Sequence, residues 1–240
     1  MTKNYQYDKI LKSIEKKDGL WYNINKCISC FERNVNMSPK SIKEGCLLYH
    51  QTKLNNLKSI IKYGLLSRAI ITSQDLHFED VADSQIIEER IENGLDVYVP
   101  FHFHPRTTFD YKIRYNNPNE SFIFLCMYRD RAANKNALIL PAHPLSNMKP
   151  QTYPYAEGIN VIDWSTMELT QGNIGYNSQV RMAECLIKDK VDISDISIIY
   201  AKDETDKCNV ERILQQNDVY HIKVYIGNTF FGSPSNLITF

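Results

Sequence analysis

The sequence predicts an α+β domain, on three grounds. Its 240 residues suffice for one hydrophobic core that needs no disulfide or metal staple. Hydrophobic residues at 43% and charged residues at 23% place it with ordinary globular chains rather than disordered ones. Apolar runs of strand character outnumber helical stripes and do not alternate strictly with them, which argues against a doubly wound sheet.

The elements follow in order. Residues 6–17 place Ile10, Leu11 and Ile14 on one helical stripe closed by Gly19, and residues 1–45 together read as an N-terminal helical extension. Cys46 to His50 is a short apolar run after Gly45, hence a strand. Leu54 to Tyr63 puts Leu54, Leu57, Ile60 and Ile61 on one face, with Gly64 as the C-terminal stop of an amphipathic helix. A further helix runs from Ala82 to Asn93 and stops at Gly94. Val97 to Phe103 alternates like a strand, and Pro100 assigns it to an edge or a bulge. Ser121 to Tyr128 is a continuous apolar strand and Ala137 to Leu140 another. Residues 141–178, rich in Pro, Asn, Gly and Ser, are expected to be mostly loop. Strands at Met182–Ile187 and Ile196–Ala201, a helix near Asp206–Gln215 and a last strand over Val219–Ile226 complete the chain.

Composition excludes several classes. Lys+Arg and Asp+Glu are 28 each, so global charge argues for no nucleic-acid partner, although a local basic groove remains open. No apolar run nears the roughly 20 residues of a membrane helix, and Met1 to Tyr5 is too polar for a signal peptide, so a cytoplasmic location is expected. There is no GxGxxG after a strand, no Walker A lysine loop and no GxSxG elbow. Cys27 and Cys30 form a CxxC without a second ligand pair, and the expectation is reduced, unmetallated thiols. His102 and His104 share a strand face but have no third ligand at suitable spacing, so no metal is expected.

The residues themselves say more. Four blocks occur in order: Tyr49-His-Gln-Thr52 continuing through Asn56, Leu57 and Gly64-Leu65 to Ser67; Tyr98-Val-Pro-Phe-His-Phe-His-Pro-Arg106; Ile162-Asp163-Trp164; and Arg181-Met-Ala-Glu184-Cys-Leu-Ile187. Together they resemble the DarT family, bacterial toxins that ADP-ribosylate bases of DNA, across about residues 46–202. The resemblance implies an ADP-ribosyltransferase-like fold, a central split antiparallel sheet flanked by helices, with the catalytic domain over 46–240. It implies NAD⁺ as co-substrate, no metal, single-stranded DNA as acceptor with thymidine or guanosine modified, and a macrodomain antitoxin of the DarG type as partner.

Residue by residue, the resemblance makes Glu184 the catalytic carboxylate and Arg90 the arginine acting on cofactor phosphates and reacting base, with Arg68 as the alternative. Around NAD⁺ it places His50, Gln51, Thr52, Asn56, Leu65, Tyr98, Phe101 and His102, and on the DNA side Arg106, His143, Tyr176 and Arg181. The chemistry suits these types. Breaking the nicotinamide–ribose bond builds positive charge at the ribose, which a nearby carboxylate stabilises while also serving as a base. A guanidinium stays charged and binds phosphate bidentately. Taken alone, the same residues have plainer readings: a solvated Glu184 at a strand start, Thr52 and Asn56 as helix caps, a satisfied core His50, and Arg90 paired with acids on its own helix. The chain departs from the family pattern at His102, where Tyr is usual, at Thr107-Thr108-Phe109, where Ser-Pro-Met is common, and around His143. Base preference is therefore open. Two other readings remain: a related transferase acting on RNA or protein, and a non-catalytic module that binds NAD⁺ or nucleic acid.

Overall fold

The computed structural model describes residues 41–80, 84–143, 150–169 and 174–231. The expected helix over 6–17 and the Cys27/Cys30 pair lie outside the described residues. The fold belongs to the unit Cys46–Phe240.

The first strand, β1 (Leu47–Lys53), runs longer than its apolar core because it pairs antiparallel along its whole length with β4 (Phe122–Tyr128), from Leu47 opposite Tyr128 to Lys53 opposite Phe122. Strand β4 has six buried residues in seven, as an inner strand covered on both faces must. A 3-10 turn, Leu54–Asn56, leads into α1 (Leu57–Tyr63), which ends at Gly64 with φ of 88°. There β2 (Leu65–Leu66) pairs with β8 (Lys190–Val191). After α2 (Arg68–Ser73) and α3 (Ser84–Glu92) comes β3 (Tyr98–His102).

Pro100 does not put β3 at an edge. The strand lies inside an eight-stranded sheet of order β10-β9-β4-β1-β3-β7-β5-β6, between β1 and β7 (Glu184–Lys188). Its β7 side is fully paired, from Tyr98 opposite Lys188 to His102 opposite Glu184. Its β1 side pairs at Tyr49 opposite His102 alone. Beyond that rung the two strands part, so the N–H that proline lacks has no partner to lose. This is the split expected of the sheet, and the cleft lies in it.

The far side of the sheet is partly parallel, because β9 (Ile198–Ala201) and β10 (Lys223–Ile226) are joined by the crossover helix α9 (Glu204–Gln216). That helix starts earlier than its apolar pattern implies, since Asp203 caps it by accepting the Asp206 N–H at 3.0 Å. On the other side, β5 (Leu138–Leu140) pairs with β7 and with β6 (Tyr153–Pro154). Helices α4 (Thr108–Asn116) and α5 (Arg129–Ala133) flank β4 in sequence.

The stretch expected to be loop instead holds α6 (Tyr155–Val161), α7 (Trp164–Glu168) and α8 (Ile174–Arg181). Gly158 reads as a helix breaker but is needed for packing. A Cβ there would lie 2.3 Å from Ile139 Cβ, so α6 seats on β5 only through glycine. Gly158→Ala should therefore overpack this contact and cost about 1–3 kcal/mol. Thermal unfolding of the variant checks this, and an unchanged melting temperature would refute it. Among the described residues no helix is long and apolar enough to cross a membrane.

Candidate active site

The cleft opens where β1 and β3 separate. One wall is His50, Gln51 and Thr52 of β1, and the other is Tyr98 to Pro100 and His102 of β3, with Glu184 at the head of β7. Leu65, Asn56, Arg68, Arg90 and His143 also line it. Sheet register explains the convergence: the rung that closes the split sets His102 beside Glu184, with Leu140 on the other side.

His50 bridges the split, its Nδ1 lying 2.8 Å from the Pro100 carbonyl oxygen. A carbonyl only accepts, so the proton sits on Nδ1 and Nε2 keeps its lone pair. Burial pulls the His50 pKa down to about 4, and the carbonyl bond offsets only part of that, so the ring is neutral near pH 7. A depressed histidine pKa means that the unfolded chain takes up a proton that the folded one refuses. Stability should thus be full above the ordinary value near 6.5 and fall as pH drops toward about 4, by at most about 3 kcal/mol. Melting temperatures recorded across that window for the wild type and for His50→Gln test this; equal acid sensitivity in both would remove His50 as the cause.

Asn56 does not cap a helix. Its amide donates to Thr52 Oγ1 at 3.1 Å and to the Glu79 carbonyl at 3.0 Å, and its oxygen accepts the Glu79 N–H at 2.9 Å. It thereby pins the segment His77–Asp80, which forms another part of the cleft wall. Arg68 pairs with Asp80 at 2.6 Å on the same wall. Gln51 is held from behind: its carbonyl oxygen accepts from Arg114 and its amide reaches the Asp110 carbonyl oxygen at 3.4 Å.

Arg90 crosses from α3 to Glu184, one Nη1 donating to both carboxylate oxygens at 2.9 Å. The side chains are 13% and 6% exposed, so this is a largely desolvated ion pair. The Arg90 Nη2 is buried and has no hydrogen-bond partner among the described residues. A buried donor left unmade is costly, and an anionic ligand in the cleft would satisfy it. His102 Nδ1 lies 3.2 Å from the Ala183 carbonyl oxygen. His143, whose backbone N–H bonds the Gln179 carbonyl at 2.9 Å, has its pKa lowered chiefly by burial, while Glu184 pulls it the other way.

Other expected site residues stand elsewhere. Phe101 points into the core, 0% exposed, and touches the site only through the His50 ring at 5.5 Å. Alternation along β3 explains this, since Tyr98 and His102 share the opposite face. Arg106, Tyr176 and Arg181 are absent from the cleft wall. Tyr176 donates to Asp163, which also caps α7 and whose pKa falls to about 2 through the Ser165 hydroxyl first and then the Thr166 N–H. Arg181 donates to the Met167 carbonyl at 2.8 Å and lies against the His104 ring. Both brace the segment between Asp163 and β7. The Ile162-Asp163-Trp164 block is likewise a brace: Trp164 packs edge-on against Phe103, and half-buried Arg129 lies over both rings at 5.5 and 5.0 Å.

Sequence reasoning missed Asp110, which lines the cleft with Phe109 at the start of α4. Asp110 is 2% exposed, and burial raises its carboxyl pKa. Its pairing with Thr107, which donates to Oδ2 at 2.7 Å and accepts the Asp110 N–H at 3.0 Å, is a helix-capping arrangement. The Thr107-x-x-Asp110 spacing was the available signal. Among the described residues no three of His, Cys, Asp and Glu converge as a metal site.

Known proteins resemble this chain as follows. The family model described as "ssDNA thymidine ADP-ribosyltransferase, DarT" matches residues 49–232. A DNA ADP-ribosyl transferase–DNA ADP-ribosyl glycohydrolase fusion protein of Thermosipho africanus (strain H17ap60334) is 24% identical over 200 residues. That match covers 80% of this chain and 50% of the relative, so the chain spans about half the length of the fusion protein. Among solved structures, Thermus sp. 2.9 DarT in complex with ADP-ribosylated ssDNA superposes with a TM-score of 0.67 at 20% identity, covering 78% of this chain and 96% of that one. Thermosipho africanus DarTG in complex with ADP-ribose gives 0.66 at 23%, covering 78% and 51%.

Proposed function

Because the chain belongs to the DarT family of ssDNA thymidine ADP-ribosyltransferases, we propose that it transfers ADP-ribose from NAD⁺ to a thymine base in single-stranded DNA and releases nicotinamide. The observation that carries the reading is the largely desolvated Arg90–Glu184 pair, beside His102 and facing His50 across the split of the sheet.

The chemistry asks three things of the cleft. It must hold the dinucleotide, so the unpaired Arg90 Nη2 suits a phosphate oxygen and His50 Nε2 suits a ribose hydroxyl that donates to it. It must stabilise cationic charge as the bond from ribose C1′ to the nicotinamide nitrogen breaks, the bonding pair leaving with neutral nicotinamide. The Glu184 carboxylate supplies that field in a site with little water. It must also strip the proton from the one ring N–H of thymine as that nitrogen bonds C1′, and Glu184, freed when Arg90 turns to the phosphates, is the base at hand. His143 and His102 flank the position where the base would enter. A base in a stacked duplex is out of reach, which is why the acceptor is single-stranded.

The name of the fusion relative joins a transferase to a glycohydrolase, and a macrodomain antitoxin of the DarG type is the partner that fits this chain. Mass spectrometry of short oligonucleotides incubated with protein and NAD⁺ tests the reading. ADP-ribosyl adducts on thymidine are the expected result. Adducts on guanosine would move the acceptor, whereas label on RNA or protein alone would overturn the DNA reading.

A further inference from the structure

A DNA strand with one base in the cleft must lie on the protein outside it. We propose that the outer face of α4 is that track, with Tyr111 and Tyr115 stacking bases next to the acceptor; the inference rests on the DNA acceptor proposed above.

Helix α4 begins in the cleft wall with Phe109 and Asp110 and leads away from it. Its inner face is settled: Asp110 and Ile113 are buried, and Arg114 reaches back to Gln51. On the other side Tyr111 and Tyr115, one turn apart, set their rings 5.8 Å from centroid to centroid at 31°. Tyr115 is 71% exposed, a large aromatic surface offered to solvent. The only acid of the helix, Asp110, is buried, so its solvent face carries Lys112 and no carboxylate. Planar rings beside a cation, on a helix face with no carboxylate of its own, are what an unpaired nucleic-acid strand needs, since bases stack and phosphates seek positive charge. The Thr108 and Ser178 hydroxyls, 2.8 Å apart, tie the start of this helix to α8, so track and cleft wall keep a fixed relation. A tyrosine pair at this spacing also steadies a helix slightly, which alone would be a purely structural role.

The test separates the two. Full-length protein carrying Tyr111→Ala with Tyr115→Ala is compared with the double Phe variant. Fluorescence anisotropy reads binding to a long thymidine-rich oligonucleotide, and turnover is followed on that oligonucleotide and on a trinucleotide. Removing the rings should weaken long-oligonucleotide binding by at least about fivefold per base stacked and raise its KM with kcat unchanged. Trinucleotide turnover and the melting temperature should hold, and the Phe variant should bind as the wild type does. Unchanged binding by the Ala variant would overturn the track, as would an equal loss in the Phe variant. A wild type that binds DNA but modifies no oligonucleotide would instead remove the transferase reading, and the anisotropy comparison would still decide the track.

Discussion

Glu184→Gln is expected to lower ADP-ribose transfer by about 10²- to 10⁴-fold while leaving the fold in place. Glutamine keeps the shape and one acceptor oxygen for Arg90, so it fills the position between His102 and Leu140 without a cavity, and the charge left unpaired on Arg90 should show as a lower melting temperature. What it removes is the negative charge facing the ribose and the capacity to take a proton. The loss should appear in kcat rather than in KM for NAD⁺, because the charge matters most when the ribose is cationic. Single-turnover measurement of adduct formation checks this. A glutamine variant that retained more than about a tenth of the wild-type rate would show that the carboxylate is no more than the partner of Arg90.

Arg90→Ala should fail in two ways at once. Removing one partner of a desolvated pair strands the other, and Glu184 at 6% side-chain exposure has little water to turn to. A destabilisation of about 3–5 kcal/mol follows, seen as a melting temperature lower by on the order of 10 °C. Activity should fall by about 10²-fold or more, with a raised KM for NAD⁺, if Arg90 also receives the phosphates. Combining Arg90→Ala with Glu184→Gln separates the effects. The double variant should recover part of the stability, since no unpaired charge remains, and none of the activity. A single variant as stable as the wild type would mean that the ion pair is solvated in solution.

Local pattern made much of this legible. The run at β4, the amphipathic α1 with its glycine stop and the alternation at β3 each gave their element from the residues alone. Glu184 and His50 were named because their blocks occur in order, and Arg90 because it falls in the interval before the Tyr98 block; all three line the cleft. What escaped depends on distant pairing. Proline in a strand signals an edge, and only a sheet that parts beside it makes an inner position admissible. Residues 141–178, rich in Pro, Asn, Gly and Ser, looked like loop, because nothing local shows that Gly158 must meet Ile139. Tyr176 and Arg181, named for the DNA side, also bond the Asp163 carboxylate and the Met167 carbonyl, partners that no local pattern announces. Arg129, half-buried over the Phe103 and Trp164 rings, had no motif to announce it.

Pro100 has a meaning beyond its place in the strand. Any other residue there would present an amide to β1, and two strands already joined at Tyr49 and His102 would gain by zipping one rung further. Across this part of the gap the His50 ring reaches the Pro100 carbonyl, its Nδ1 2.8 Å from the oxygen. The backbone is thus forbidden to seal the seam and a side chain spans it instead. A ring can swing aside for a ligand where a ladder of amides cannot. The opening in the sheet is a property written into the covalent chain, present before any substrate arrives.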